Sequence, residues 1–141
     1  MENFPLKDIM ITNVVTASPE EPLSKVEEKF RRRGIRHIPV VDDRNRVVGV
    51  FTRNDLARCL VPHKTEEGFS YDKEEMDQFM LKFVMAKDPT TLGPEDLLSH
   101  AVEIMARDKY GCIPIVKENK TMVGIVTQVD IMNLLLRELK K

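Results

Sequence analysis

The chain has 141 residues, of which 42% are hydrophobic and 32% are charged, with 22 Lys and Arg against 23 Asp and Glu. This length and apolar content suit one compact domain or two small domains that share a core, and they exclude disordered, collagen-like and low-complexity chains. Because nucleic acids and anionic membranes select an excess of Lys and Arg, the near-neutral balance argues against either as the main partner.

Three absences in the sequence indicate where the protein resides. No apolar run approaches the roughly 20 residues that a membrane helix requires. The N-terminus lacks the charged and then apolar layout of a signal peptide. The two cysteines, Cys59 and Cys112, are too few for a disulfide framework and have no metal-ligand spacing. We therefore expect a soluble, reduced, cytoplasmic protein.

The first predicted elements follow one another from residue 13 to residue 60. A short strand at Asn13–Thr16 precedes a helix that begins near Leu23, and Gly34 is placed to cap the end of that helix. Two β-branched runs, His37–Val41 and Val47–Thr52, are separated by a polar turn and predict a β-hairpin. A second helix is predicted directly after this hairpin.

The connection that follows predicts a loop and then a helix that packs back on the body of the protein. Pro62 and Gly68 mark the loop. Apolar residues recur at helical spacing in the second half, and they would face water if this half were a free linker. These residues are Met76, Phe79, Met80 and Phe83. Core filling is the favoured role of the methionines among them.

The remainder of the chain repeats the first elements at a shift of 75 residues, which places Met10 on Met85. Between residues 9–60 and residues 84–135, 16 of 52 aligned positions are identical without a gap. The second copy therefore predicts the same elements in the same order. They are a strand at Pro89–Thr91, a helix from Leu98, a hairpin of Ile113–Val116 and Met122–Thr127, and a C-terminal helix.

The predicted fold is mixed α/β (α+β), with two β-α-β-β-α repeats related by pseudo-two-fold symmetry. Residues 1–60 form the first repeat and residues 61–82 form the connecting loop and helix. Residues 83–141 form the second repeat together with the C-terminal helix.

The motif Gly-x-x-Thr-x-x-Asp occurs once in each repeat, at the junction of a strand and a helix. Its members are Gly49, Thr52 and Asp55 in the first repeat and Gly124, Thr127 and Asp130 in the second. Thr and Asp at this spacing form a capping box at a helix start. The same geometry can hold a phosphate and the hydroxyls of a ribose, with the glycine allowing a ligand to approach the backbone. The residues alone leave both interpretations open.

The sequence segments around these two motifs follow one another in a characteristic order. The first repeat contains His37–Asp42 and Val48–Asp55, and the second contains Phe83–Met85 and Val123–Asp130. In this order and spacing they resemble the cystathionine-β-synthase (CBS) domain. The resemblance covers almost the whole chain, and two such domains in tandem form the family's usual Bateman module. It implies a non-catalytic regulatory sensor of AMP, ADP, ATP, S-adenosylmethionine or a related compound, bound in the cleft between the repeats.

The resemblance also implies which residues contact the ligand. Asp55 and Asp130 would hold the ribose, and Thr52 and Thr127 would contact ribose or phosphate. The adenine would lie against the first strand and the segment that ends at the proline of each hairpin. These positions are Thr16, His37, Ile38 and Pro39 in the first repeat and Thr91, Cys112, Ile113 and Pro114 in the second. Each site would combine the ribose-binding half of one repeat with the adenine-binding half of the other.

Phosphate contacts are expected to differ between the repeats. Arg36 stands where some relatives of the family place a phosphate-binding arginine, and Arg53 is next to Thr52. The second repeat has Gly111 and Gln128 at the equivalent positions. Equal phosphate affinity at the two sites is therefore not expected.

The leading interpretation is a regulatory sensor that requires no cofactor and signals to an effector on a separate protein or elsewhere in a longer chain. The alternative is an interaction module without ligand, in which both Thr-x-x-Asp motifs are only helix caps. No Ser-His-Asp order, Gly-rich phosphate loop or pair of carboxylates predicts catalysis, so we do not expect an enzyme. The scattered histidines do not predict a metal site.

The C-terminal helix carries more aliphatic side chains than one packing seam needs. They are Ile131, Leu134, Leu135, Leu136 and Leu139. A surplus of exposed apolar surface usually marks an interface, so we predict a homodimer with helical contacts across a two-fold axis. The resemblance to CBS pairs favours this assembly. The alternative is that the predicted helix over residues 69–83 covers the surplus within one chain.

Overall fold

The computed structural model describes residues 1–141 and contains five α-helices and seven β-strands. The elements in chain order are α1 (Leu23–Arg33), β1 (His37–Val41), β2 (Val47–Thr52), α2 (Arg53–Cys59), β3 (His63–Thr65), β4 (Gly68–Ser70), α3 (Lys73–Met76), β5 (Ala86–Lys87), α4 (Leu98–Asp108), β6 (Cys112–Val116), β7 (Met122–Thr127) and α5 (Gln128–Leu139). None of the helices combines the length and the apolar character that crossing a bilayer requires.

The chain divides into two compact units, and each unit is built from separate stretches of sequence. The β1–β2 unit comprises Val15–Arg44 and Val48–Asp88. The β6–β7 unit comprises Met1–Val14, Asn45–Val47 and Pro89–Lys141. The units therefore differ from the sequence repeats: residues 1–14, at the start of the first repeat, belong to the β6–β7 unit, and residues 81–88, at the start of the second, belong to the β1–β2 unit.

The β1–β2 unit forms because its helix and its strands present matching apolar faces. Its sheet has the strand order β1-β2-β5, with Gly49 opposite Lys87. Helix α1 buries Val26 and Phe30, which lie on one face at helical spacing. The Phe30 ring stacks on that of Phe51 from β2, with 6.2 Å between the ring centroids. This packing fixes α1 over the hairpin that carries the first Thr-x-x-Asp motif.

The β6–β7 unit repeats this plan. Strands β6 and β7 are antiparallel, with Cys112 opposite Thr127 and Ile115 opposite Gly124. The register shifts between Ile115 and Val116, as it does at a β-bulge. Helix α4 buries Ala101, Ile104 and Met105 against these strands. Helix α5 begins directly after β7, so the second motif lies at the same kind of junction as the first.

The segments that lead into the two repeats, residues 1–14 and residues 81–88, are called here the lead-in segments. Equivalent backbone hydrogen bonds attach each of them to its unit. In the β6–β7 unit the amide of Leu6 donates to the carbonyl of Asp96 at 2.8 Å. In the β1–β2 unit the amide of Leu81 donates to the carbonyl of Glu21 at 2.9 Å. Leu6 and Leu81 are both fully buried and are equivalent residues of the two repeats. Each lead-in segment is therefore part of a core rather than a loose terminus or linker.

The predicted helices after each hairpin are confirmed, and so is the cap at Gly34, which has a left-handed φ of 61°. The predicted first strands are wrong in extent. Only single parallel bridges form, from Ala17 to Val40 and from Leu92 to Ile115, because the chain turns away directly after them.

The predicted helix in the connection is also too long. Residues 63–70 form the β3–β4 hairpin, and the helix is only the four residues of α3, which bury Met76. Met80 adopts extended backbone and bridges to Pro22, which prevents the helix from continuing. Phe83, which was predicted to pack, is exposed, and so is Phe69 in the β3–β4 hairpin.

Candidate functional site

The first Thr-x-x-Asp motif forms a complete capping box at the start of α2. The hydroxyl of Thr52 accepts a hydrogen bond from the amide of Asp55 at 3.0 Å, and the Asp55 carboxylate accepts one from the amide of Thr52 at 2.9 Å. Arg58 donates to the second carboxylate oxygen of Asp55 at 3.1 Å from the exposed side. The capping interpretation is therefore correct for the first motif, whether or not a ligand also uses these groups.

The second motif forms the same box at the start of α5. The amide of Asp130 donates to the hydroxyl of Thr127 at 3.2 Å, and the amide of Thr127 donates to Oδ2 of Asp130 at 2.9 Å. The Thr127 hydroxyl also donates to Oδ2, at 2.8 Å. Both of these contacts use the same carboxylate oxygen, so Oδ1 of Asp130 keeps its capacity to accept hydrogen bonds.

The motif glycines have a role that differs from the predicted one. A Cβ atom on Gly49 would lie 2.5 Å from Sδ of Met85, and one on Gly124 would lie 2.7 Å from Sδ of Met10. In both places a backbone carbonyl of the same segment would lie 2.9 Å away. The glycines therefore admit a lead-in segment of the protein itself. The expectation that they leave room for a ligand is wrong, because that space is filled.

The hairpin residues predicted to contact adenine are mostly core residues. Ile38, Pro39 and Ile113 are almost completely buried, and Pro114 is buried as well. Their side chains fill the two cores, and the carbonyls of Pro39 and Pro114 already accept hydrogen bonds from Ala17 and Leu92. The two threonines predicted to contact adenine, Thr16 and Thr91, are half-buried.

Three cationic or titratable residues stand beside the first capping box. The amide of Arg53 donates to the carbonyl of Arg36 at 3.0 Å, which joins the start of α2 to the segment before β1. Both arginine side chains are exposed, and His37 is half-buried. Burial lowers the pKa of His37, and the positive charge of Arg36 lowers it further, while the negative charge of Asp55 opposes them.

The equivalent positions in the β6–β7 unit are neutral. The amide of Gln128 donates to the carbonyl of Gly111 at 3.0 Å, which reproduces the backbone contact of the other unit. The side-chain amide of Gln128 donates to the carbonyl of Tyr110 at 3.1 Å. Cys112 is buried, opposite Thr127 in the hairpin.

The structure thus divides the predicted contact residues into two sets, and each set lies within one unit. The β1–β2 unit contains Thr16, Arg36, His37, Ile38, Pro39, Thr52, Arg53 and Asp55. The β6–β7 unit contains Thr91, Cys112, Ile113, Pro114, Thr127 and Asp130. No cluster of three or more His, Cys, Asp or Glu side chains is suited to hold a metal ion.

Lys29, which no sequence motif singled out, positions one of these residues. Its ammonium group donates to the carbonyl of Thr16 at 2.8 Å and to both carboxylate oxygens of Glu21, at 2.8 and 2.9 Å. An open cavity of about 650 Å³ lies beside this contact and is lined by Thr16, Lys29 and acidic residues, but not by the capping box. The aligned residue in the second repeat is Ile104. A lysine at a position where the other repeat has an apolar residue was the sequence signal that could have identified Lys29.

The chain matches the CBS domain family over residues 6–62 and again over residues 81–137. It therefore belongs to the CBS domain family and carries two CBS domains in tandem. It is 33% identical over 125 residues to an inosine-5'-monophosphate dehydrogenase of Korarchaeum cryptofilum, which covers 89% of this chain but only 23% of that enzyme. The chain also spans less than two thirds of the length of three other relatives, the proteins MJ1225 and MJ1232 of Methanocaldococcus jannaschii and MK0525 of Methanopyrus kandleri.

Solved structures of CBS domain pairs share this fold. The CBS pair of protein MJ0100, in complex with 5'-methylthioadenosine and S-adenosylmethionine, superposes with a TM-score of 0.79 at 21% identity, covering 97% of this chain and 99% of that one. The protein CBSX2, in complex with AMP, superposes with a TM-score of 0.79 at 18% identity, covering 98% and 99%. At these identities the likeness establishes the fold of a CBS pair and no more.

Proposed function

We propose that this CBS pair is a non-catalytic regulatory module that binds an adenosine-containing ligand and passes its occupancy to an effector protein. The ligand is AMP, ADP, ATP, S-adenosylmethionine or a related compound. The observation that carries the proposal is that both units place a Thr and an Asp at the same strand-to-helix junction with the same hydrogen bonds. The ligands named for the structures of MJ0100 and CBSX2 support the class of ligand. The cytoplasmic location stays a prediction.

One observation favours the alternative, a ligand-free interaction module. The capping boxes are complete without a ligand, so the Thr and Asp residues have a structural reason to occur in both repeats. Replacing Asp by Asn separates the two functions. An amide oxygen can still accept the backbone hydrogen bond of the cap, whereas a neutral amide is a weaker acceptor for a ribose diol than a carboxylate.

The test is a thermal-shift series with AMP, ADP, ATP, NAD and S-adenosylmethionine on the native chain, Asp55→Asn and Asp130→Asn. At about 100 times the dissociation constant a ligand adds about 2.7 kcal/mol to the free energy of unfolding. Since 1 kcal/mol shifts the melting temperature by about 2–4 °C for a chain near 150 residues, that addition raises it by roughly 5–11 °C. Each substitution should reduce one binding event while changing the ligand-free melting temperature little. Absence of any shift at millimolar ligand would support the interaction module instead.

We further propose that the module is a homodimer that associates through α5. This helix has two apolar seams. Ile131 packs against the core of the β6–β7 unit, and Leu134 is buried. The second seam lies at i, i+3, i+7 and i+10, a spacing typical of helix–helix contact. It consists of Val129, Met132, Leu136 and Leu139, which are 58%, 61%, 49% and 73% exposed.

A further inference from the structure

The cavity of the β1–β2 unit lies apart from the capping box and has an acidic wall. Its volume of about 650 Å³ is within the range of about 300–1,000 Å³ that small-molecule sites occupy. The charged side chains that line it are one lysine and four carboxylates, although the whole chain has a net charge of only −1. They are Lys29, Glu20, Glu21, Asp42 and Asp43. Negative charge is therefore concentrated at this cavity.

The four carboxylates of the wall differ in how far they are already engaged. Glu21 is paired with Lys29, and one oxygen of Asp42 accepts a hydrogen bond from a backbone amide at 2.9 Å. Glu20 and Asp43 are exposed and form no ion pair. A cation that enters the cavity therefore meets two carboxylates without a positive partner.

The equivalent glutamate of the β6–β7 unit is neutralised within its own unit. Glu95, which is equivalent to Glu20, forms an ion pair with Lys7 at 3.0 Å. The lysine equivalent to Lys7 is Lys82, and its ammonium group lies over a phenylalanine ring, 5.3 Å from the ring centroid. The unpaired glutamate is therefore particular to the unit that contains the cavity.

Lys29 shows how this wall holds an ammonium group. Its Nζ donates to the carbonyl of Thr16 at 2.8 Å and to the two carboxylate oxygens of Glu21 at 2.8 and 2.9 Å. An ammonium group is a donor only, so a wall of carbonyl and carboxylate oxygens satisfies it fully. Ala17 and Val41 line the same cavity and provide apolar surface for a methylene chain.

We propose that this cavity binds an aliphatic polyamine, with ammonium groups on Glu20 and Asp43 and the methylene chain along the apolar part of the wall. Ammonium groups form charge-assisted hydrogen bonds with carboxylates. A bare metal ion is not favoured, since no three His, Cys, Asp or Glu side chains are grouped to hold one. Polyamine binding here does not depend on the proposed adenosine site, because no capping-box residue lines the cavity.

The test is isothermal titration of the full chain with spermidine and, separately, with the shorter diamine putrescine. Spermidine should bind more tightly, because it carries more positive charge. The variant Glu20→Gln with Asp43→Asn should weaken spermidine binding by about five-fold or more, because it removes two exposed charge pairs with the ligand. Its melting temperature without ligand should stay unchanged, since both side chains are exposed.

The matched control is Glu66→Gln with Glu67→Gln, which removes the same charge from exposed positions of the same unit. This control should leave the spermidine affinity unchanged. If the native chain gives no binding heat with millimolar spermidine, or if the control loses as much affinity as the cavity variant, the proposal is overturned. AMP titrated into the same preparations tests the proposed function separately, and the cavity variant should bind AMP as the native chain does.

Discussion

At the scale of single residues, equivalent positions of the two repeats adopt the same left-handed backbone conformation with different residue types. Helix α1 ends at Gly34 and helix α4 ends at Lys109, and both residues adopt the left-handed conformation, with φ of 61° and 60°. Glycine adopts this conformation without steric cost, whereas other L-residues pay about 1–2 kcal/mol for it. The second repeat therefore carries backbone strain that the first repeat avoids.

Lys109→Gly should raise the free energy of unfolding by about 1 kcal/mol, because it relieves this strain at the end of α4. The matched change Gly34→Lys should lower it by a similar amount. Nothing lies within 4 Å of a Cβ atom placed on Gly34, so the loss would reflect conformation and not a collision. Urea unfolding measures both values, and a destabilising Lys109→Gly would contradict the argument.

Side-chain chemistry was predictable from the sequence at the capping boxes, because a Thr and an Asp three residues apart satisfy the amides of a helix start wherever it lies. The role of the motif glycines was not predictable. Gly49 and Gly124 are close in sequence only to their own strands, whereas the atoms that exclude a side chain belong to Met85 and Met10. A contact across such a sequence separation leaves no local pattern.

At the scale of elements, the hairpins and the helices after them were predictable because alternating β-branched residues and helical apolar spacing are local signals. The lead-in segments were not. They form single bridges and short 3-10 turns with little periodicity, and what fixes them is burial of one leucine each, Leu6 and Leu81. Their attachment to the unit of the opposite repeat follows from tertiary packing alone.

Leu6→Ala should destabilise the β6–β7 unit although Leu6 lies at the start of the first repeat in sequence. Removing a fully buried leucine side chain costs about 2–5 kcal/mol. Amide hydrogen exchange should show lost protection in β6 and β7 ahead of β1 and β2. The matched variant Leu81→Ala should show the reverse order. If Leu6→Ala instead removed protection from β1 and β2 first, it would contradict the assignment of residues 1–14 to the β6–β7 unit.

At the scale of the whole molecule, the proposed homodimer would form through the second, exposed seam of α5. A stable protein interface buries about 1,200–2,000 Å² in total, and an exposed apolar stripe along a helix of twelve residues offers one part of such an area. The sequence predicted an apolar surplus on this helix. It did not predict which side chains are inward, because Leu134, Leu135 and Leu136 are consecutive and only packing separates them.

Leu136→Glu should dissociate the dimer, because a charge in the centre of a buried apolar seam loses hydration without a partner. Light scattering over a dilution series should give twice the chain mass of 16.3 kDa for the native protein and the single mass for the variant. Val61→Glu is the control, since it places the same charge at an exposed apolar residue of the connection. A native protein that stays at the single mass at every concentration would contradict the proposal.

Each lead-in segment belongs to the unit of the other repeat, and this affects the order in which the chain folds during its synthesis. Residues 1–14 leave the ribosome before the strands and helices that complete their core, which lie within residues 89–141. The β1–β2 unit contains no residue beyond Asp88, so all of its residues are synthesised before the β6–β7 unit is complete. At about 5–20 residues per second, the first segment waits on the order of ten seconds for its partners. During that interval the side chain of Leu6 is exposed to solvent, because the core that buries it has not yet been synthesised.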